Sequence, residues 1–201
     1  EMAPNTGYFI AEAEEFLFTM QVSSFDHIRG GFENSIYLGE ASVVAQKFKT
    51  NMLSTLFMNG SIFIIGLFMV IFSLYRRIEY VFFMFGMFAM LISIRALFAY
   101  PFYYTLLFLD ISWIWGTRLE YILTEASSWV YVILLWQWHK DVFSKKVLYG
   151  LSAVHLGLIV TTLFTQPVFF QALFFKVFYL VVPTFIYMIY VIFKSIRNRN
   201  R

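Results

Sequence analysis

The apolar residues of this 201-residue chain are gathered into long runs that begin near residue 52 and end near residue 193. A helix needs about 20 apolar residues to cross a bilayer. Tyr and Trp crowd the ends of the runs, as expected of rings that prefer the headgroup level. The pattern therefore predicts an all-α polytopic membrane bundle over residues 51–193, with five spans at residues 52–75, 80–100, 118–138, 147–164 and 168–193.

Lys and Arg gather in every second gap between these runs. The clusters lie at residues 76–77, 139–146 and 194–201, whereas the gaps at residues 100–116 and 165–167 contain no Lys or Arg. Cytoplasmic loops are enriched in Lys and Arg. The alternation thus predicts that residues 1–50 lie outside and that residues 194–201 form a basic cytoplasmic tail.

The apolar stretch at residues 102–115 is short and is interrupted by Asp110. We interpret it as an outer loop or a short helix on the membrane surface, anchored by Trp113 and Trp115. Counting it as a sixth span would place the neighbouring basic clusters on opposite sides of the membrane.

Residues 1–50 have a different, β-rich texture. The strand-like runs at residues 16–22 and 35–38 are separated by a loop that contains Gly30-Gly31. Two short strands are marginal alone, so we expect them to complete a sheet formed upstream or by another chain. Residues 40–50 read as a linker or a short helix. No signal peptide is visible although the orientation requires export, and we therefore expect a piece of a longer protein or a processed product.

Composition agrees with a membrane protein, because 60% of the residues are hydrophobic, 22% are aromatic and only 13% are charged. The net charge of +3 lies mainly at the predicted cytoplasmic edges, which indicates topology rather than nucleic-acid binding. The chain has no Cys, and its three His residues lack metal-ligand spacing. Catalytic motifs are also missing from the sequence. We expect no enzyme activity, metal or cofactor for this segment.

One stretch resembles a known family. Residues 21–32 read Gln-Val-Ser-Ser-Phe-Asp-His-Ile-Arg-Gly-Gly-Phe, and residues 36–39 read Ile-Tyr-Leu-Gly. This resembles the end of the jelly-roll sensor domain of bacterial seven-transmembrane receptors with diverse intracellular signalling modules. Ser24 stands where Asn is common in that family. Arg-Arg-Ile-Glu-Tyr after the first span and Arg-Leu-Glu-Tyr at residues 118–121 are also similar.

The resemblance implies the membrane region of a sensor in the bacterial inner membrane. It would relay an extracytoplasmic small-molecule or carbohydrate signal to a cytoplasmic module, such as a kinase or a diguanylate cyclase, and homo-oligomers are compatible with it. The family has seven spans and an output module, whereas this chain has five predicted spans and no such module. Two alternatives stay open: a non-catalytic subunit of a larger assembly, favoured by the unfinished sheet, and a transporter or channel component.

Ionisable residues recur in the outer third of the predicted membrane. At about 1.5 Å per residue, Arg95 lies about 7 Å, Glu125 about 10 Å, Lys176 about 12 Å and His155 about 13 Å from the outer end of its span. Charges at this depth are costly unless they are paired or functional. We interpret them as an outward-facing polar cavity or as a structural ion-pair network, for example Arg95–Glu125 and Glu120–Lys176. The candidate residues are Arg95, Arg118, Glu120, Glu125, His155 and Lys176.

Other candidates are weaker. The external loop before Gly30-Gly31 is either a ligand contact or a solvated turn. Pro183 predicts a kink in the fifth span that could be a hinge. Small and hydroxyl residues typically mark close helix packing. The external loop candidates are Asp26, His27, Arg29, Gly30 and Gly31, and the packing candidates are Gly60, Gly66, Gly86, Thr124, Ser127 and Ser128.

Overall fold

The structure is a computed structural model that describes Ile10 and residues 38–76, 80–108 and 110–199. Nearly all of these residues are helical, and no strand occurs among them. The strand and loop predictions for residues 11–37 lie outside the described residues. The helices are α1 (Ala41–Arg76), α2 (Tyr80–Phe98), α3 (Tyr104–Leu107), α4 (Trp113–Trp138), α5 (Lys145–Phe164), α6 (Pro167–Val177) and α7 (Val181–Arg199), with a 3₁₀ turn at Phe178–Leu180.

Within the described ranges, three helices are long and apolar enough to cross a membrane, namely α1, α2 and α5. The number is four if α6 and α7 together count as one bent span. The prediction of an all-α membrane bundle is confirmed at this level. The predicted third span corresponds to α4, which has 26 residues but contains Arg118, Glu120 and Glu125. These charges and the neighbouring hydroxyl groups explain why α4 is not apolar enough to be counted with α1, α2 and α5.

Helix α1 is longer than the span predicted for it. It begins at Ala41, eleven residues before the predicted start at Met52, and continues without a break to Arg76. Residues 41–50 contain no Gly or Pro and therefore extend the helix. At 1.5 Å per residue, its 36 residues span about 54 Å, more than the ~30 Å hydrocarbon core of a bilayer. The segment predicted as a linker or a short helix is thus the first part of one continuous helix.

Helices α1 and α2 pack at two facing glycines. A Cβ atom built on Gly86 would lie 2.6 Å from the carbonyl oxygen of Gly66, and one built on Gly66 would lie 2.8 Å from that of Gly86. Ser93 of α2 also donates a hydrogen bond to the carbonyl of Asn59 in α1. The close-packing role predicted for these two glycines is confirmed. It is wrong for Gly60, whose Cβ would meet nothing within 4 Å.

Helix α4 lies at the centre of the bundle, because it packs against α2, α5 and α6. We call the end of the bundle with the α2–α4 and α5–α6 connections the outer end, following the charge pattern, and the end with residues 139–144 the inner end. At the inner end α7 joins α4 and α5, where Tyr187 Oη accepts a hydrogen bond from the Ser144 amide at 2.9 Å. A buried apolar core lies there, formed by Val132, Leu135, Phe143, Leu148, Met188 and Val191.

The α2–α4 connection contains the short helix α3 and folds back onto the start of α4. Tyr103 and Tyr104 are buried, and a Cβ atom on Gly116 would lie 2.1 Å from the Tyr104 hydroxyl. Tyr104 also stacks on Phe98 with ring centroids 5.0 Å apart. This packing allows α4 to begin at Trp113, five residues before its predicted start.

The predicted fifth span is divided in two. Helices α6 and α7 are separated by the 3₁₀ turn and bent by 46°. Pro183 lies in the first turn of α7 and has no amide hydrogen to donate to the carbonyl of Tyr179, four residues earlier. The bend therefore falls one turn before the proline rather than at it. The predicted kink is confirmed, and its role as a hinge stays a prediction.

Candidate functional site: an intramembrane cavity beside Glu125 and His155

A cavity of about 480 Å³ lies between α2, α4, α5 and the α6–α7 bend. Each helix presents one face to it, with lining residues spaced three or four positions apart as on one side of a helix. The walls are mainly apolar and aromatic, and hydroxyl groups from α4 and α7 interrupt them. The lining residues are Phe88 and Ile92 of α2; Thr124, Glu125, Ser127, Ser128, Tyr131 and Val132 of α4; Leu151, Val154, His155 and Leu158 of α5; and Phe174, Val177, Phe178, Thr184, Phe185 and Met188 of the bend region.

The polar part of the cavity is a carboxylate–imidazole pair. Glu125 Oε2 and His155 Nδ1 are 2.6 Å apart, and Glu125 is only 5% exposed. This contact is a hydrogen bond, in which the proton belongs to either the imidazole Nδ1 or the carboxyl oxygen. The pair joins α4 to α5 in a place where an unpaired charge would cost several kcal/mol.

Arg95 is held at a neighbouring face of α4, through the residue that precedes Glu125. Its Nε donates a hydrogen bond to Thr124 Oγ1 at 2.6 Å, and this hydroxyl in turn donates to the carbonyl of Glu120 at 2.7 Å. Ser127 Oγ donates to the Thr124 carbonyl at 2.9 Å. The hypothetical Arg95–Glu125 ion pair is therefore replaced by two separate contacts. Thr124 faces α2 and Glu125 faces α5, because successive helical residues point about 100° apart.

The outer rim above the cavity is also tied together by side chains. Arg118 Nη2 donates a hydrogen bond to the Thr165 carbonyl at 3.1 Å, and its guanidinium carbon lies 5.1 Å from the centre of the Trp115 ring. The hydrogen bond links the start of α4 to the α5–α6 turn, and the ring contact lies within α4. At the same end of the bundle, the pKa of Tyr104 is raised above its ordinary value of 10.0. The main cause is burial of the phenol, and the second is the negative charge of Glu120.

The remaining sequence candidates lie elsewhere. Lys176 is exposed on α6, and the hypothetical Glu120–Lys176 pair is not among the ion pairs within the part of the chain that the structure describes. Pro183 is an exposed residue of α7 one position before the cavity-lining Thr184. The external loop at residues 26–31 lies outside the described ranges. Of the six predicted network residues, the structure brings Glu125 and His155 into direct contact.

Several cavity residues were not predicted. Phe88, Tyr131 and Val154 line the cavity and are chemically ordinary, so nothing in their identity distinguishes them. Their spacing is the signal that could have found them. Phe88 lies seven residues before Arg95, and Tyr131 lies seven residues after Thr124, which places each residue near the face of a polar neighbour.

Comparison with known proteins adds no relative, since no family model, curated protein or solved structure matches the chain. Within the described ranges, no third His, Asp or Glu joins Glu125 and His155 to make a metal-binding group. The polar groups that the cavity offers are hydrogen-bonding side chains, among them the Glu125–His155 pair, in mainly apolar surroundings.

Proposed function

We propose that this chain is the membrane region of a receptor-type sensor that relays a signal from the outer to the inner end of the bundle. The observation that carries the proposal is the continuous helix α1 (Ala41–Arg76). It joins the segment before residue 41 to Arg76 at its inner end. A helix of this length transmits displacement along its axis or rotation about it, because its backbone hydrogen bonds are internal.

The attachment of α1 to the bundle supports a relay. Helix α1 packs against α2, and the Gly66–Gly86 approach lies in the middle of that contact. Near the outer end, the Phe48 and Tyr103 rings add a second contact, with centroids 6.4 Å apart. Most of the rest of α1 is exposed to the surroundings, where lipid would cover it. A helix held at these points can adopt two positions without repacking the whole bundle.

The proposed topology has five crossings, with α4 as the third and the α6–α7 pair as the fifth. The N-terminus is outside, the C-terminus is in the cytoplasm, and the membrane is the bacterial inner membrane. Helix α4 has 26 residues and packs between α2 and α5, which favours the same depth for all three. The family resemblance adds an external ligand and a cytoplasmic output module to this proposal.

The relay is tested by removing a contact at the outer end of α1 and measuring the position of its inner end relative to α5. Because the chain has no Cys, spin labels can be attached to cysteines introduced at Leu74 and Tyr149, which are exposed on α1 and α5. Phe48→Ala removes the ring contact with Tyr103, about 39 Å from Leu74 along the helix. We expect the Leu74–Tyr149 distance in nanodiscs to shift by about 2 Å or more, as measured by pulsed electron resonance.

A matched substitution on the same helix provides the control. Phe57 is 77% exposed, so Phe57→Ala should leave the inner distance unchanged. A second label pair at Val43 and Ile114 reports the outer end directly. If Phe48→Ala changed the outer distance but left the inner one unchanged, α1 would not act as a relay and the proposal would fail.

A further inference from the structure

The cavity is closed at both ends of the bundle and opens at its side. Towards the outer end, the Tyr121 ring contacts Phe170 and Phe174, with centroids 5.2 and 5.0 Å apart. Towards the inner end, the apolar core around Val132 and Met188 fills the space. Phe178 and Phe185 line the cavity, yet they are 58% and 60% exposed. The opening therefore lies at the bend between α6 and α7, on a side of the bundle that lipid would face.

The bend accounts for this opening. A straight helix could lie along α4 and α5 over its whole length, but α6 and α7 are inclined by 46°. Helix α6 contacts α4 near the outer end, and α7 contacts α4 and α5 at the inner end. The middle of the pair is consequently held away from the bundle, and a volume of about 480 Å³ is left between them. This volume lies in the range of small-molecule sites, about 300–1,000 Å³.

The chemistry of the walls selects an occupant. Glu125, His155, Thr124 and Ser128 provide hydrogen-bonding groups on one part of the wall, whereas the rest is mostly Phe, Leu, Ile and Val. Among these lining residues, Glu125 and His155 are the only Asp, Glu, His, Lys or Arg side chains, and they are bonded to each other at 2.6 Å. An ionic head group would find no uncompensated opposite charge, and its burial in apolar surroundings would be costly.

We propose that this cavity binds an uncharged, membrane-soluble amphiphile that enters from the lipid at the α6–α7 bend. Its hydroxyl or carbonyl head hydrogen-bonds to the Glu125–His155 pair, and its apolar body lies against the aromatic and aliphatic walls. The site does not require the α1 relay, so either proposal can fail without the other.

The probe is a long-chain alcohol that carries a photoreactive diazirine, added to the full chain in phospholipid nanodiscs. After irradiation, mass spectrometry locates the labelled residues. We expect labelling of the cavity face of α4, α5 and α7, and a fall of about fivefold or more when excess unlabelled alcohol competes. The corresponding diazirine alkane, which lacks the head group, should label these positions about fivefold less than the alcohol.

Two valine substitutions on α5 provide a matched comparison. Val154→Phe fills part of the cavity, whereas Val160→Phe places the same ring at a site that is 52% exposed on the outside of the helix. We expect labelling to fall about fivefold or more in the first variant and to stay unchanged in the second. Thermal unfolding of both variants verifies that they are folded.

A second variant tests the head-group contact. Glu125→Leu combined with His155→Leu removes the polar pair, and the preference for the alcohol over the alkane should then disappear. Equal labelling of the Val154→Phe and Val160→Phe variants would overturn the proposal. So would labelling that excess alcohol does not reduce, since such labelling reports only the surrounding lipid.

Discussion

The contact between Gly66 and Gly86 gives the sharpest test of the packing. A Cβ atom on Gly86 would lie 2.6 Å from the Gly66 carbonyl oxygen, 2.8 Å from Val70 Cγ2 and 3.0 Å from the Val70 amide nitrogen. Two of these three atoms belong to the backbone and cannot rotate away. Gly86→Ala therefore forces α1 and α2 apart along their contact.

The expected magnitude follows from two opposing terms. Replacing Gly with Ala within a helix favours folding by up to about 1 kcal/mol. Overpacking of a close contact costs about 1–3 kcal/mol. We therefore expect Gly86→Ala to lower the free energy of unfolding by about 0–2 kcal/mol and to be about 1–3 kcal/mol less stable than Gly60→Ala, which has the same gain without the cost. At Gly60 the first term acts alone, since an added Cβ atom would meet nothing within 4 Å. Gly60→Ala should be neutral or slightly stabilising.

The measurement is reversible unfolding of the full chain by sodium dodecyl sulfate in mixed micelles, followed by circular dichroism. Gly66→Ala provides a second substitution at the same contact, because its Cβ would lie 2.8 Å from the Gly86 carbonyl oxygen. Both variants should be less stable than Gly60→Ala. If Gly86→Ala and Gly60→Ala had equal stability, the close approach of the two helices would be refuted.

Two further predictions concern single hydrogen bonds and ionisation. Thr124→Val removes the hydroxyl that accepts the Arg95 hydrogen bond, and it should lower the free energy of unfolding by about 1–3 kcal/mol in the same measurement. Thr124→Ser keeps the hydroxyl and serves as the control. Equal stability of the two variants would contradict this prediction. The raised pKa of Tyr104 means that its contribution to stability is complete below about pH 10 and is lost as the pH rises through the folded-state pKa. Tyr104→Phe should therefore reduce the alkaline fall in melting temperature, and an unchanged fall would count against burial of this phenol.

The depth of each ionisable residue in the membrane could be predicted from the sequence, but the neighbouring helix that its side chain faces could not. Counting from the outer ends placed Glu125 and His155 at similar depths, and the structure pairs them. The same counting suggested Arg95 as the partner of Glu125. That choice depends on which helices flank α4 and on its rotation, and tertiary packing decides both. Because α4 lies between α2 and α5, Thr124 meets Arg95 and Glu125 meets His155.

The sequence also indicated which residues would affect the backbone, but it did not indicate where the bend or the close helix contact would lie. Pro183 indicated a kink, but the bend lies at Phe178–Leu180, because proline has no amide hydrogen to donate to a carbonyl one turn earlier. Gly60, Gly66 and Gly86 looked equivalent in the sequence. Only the crossing point of α1 and α2 distinguishes them, because a glycine allows close approach only where another backbone is present.

The position of α4 explains why hydropathy is a poor guide to the candidate site. Hydropathy selects α1, α2 and α5 as spans, and a helix surrounded by lipid must satisfy this criterion over most of its surface. Helix α4 is sheltered by neighbours, so it can carry Glu125 and a row of hydroxyl groups that would be costly on a lipid-facing helix. The central position of α4 thus allows it to be more polar than a helix that faces lipid. In this bundle a helix that does not qualify as a span by composition contributes most polar groups to the cavity.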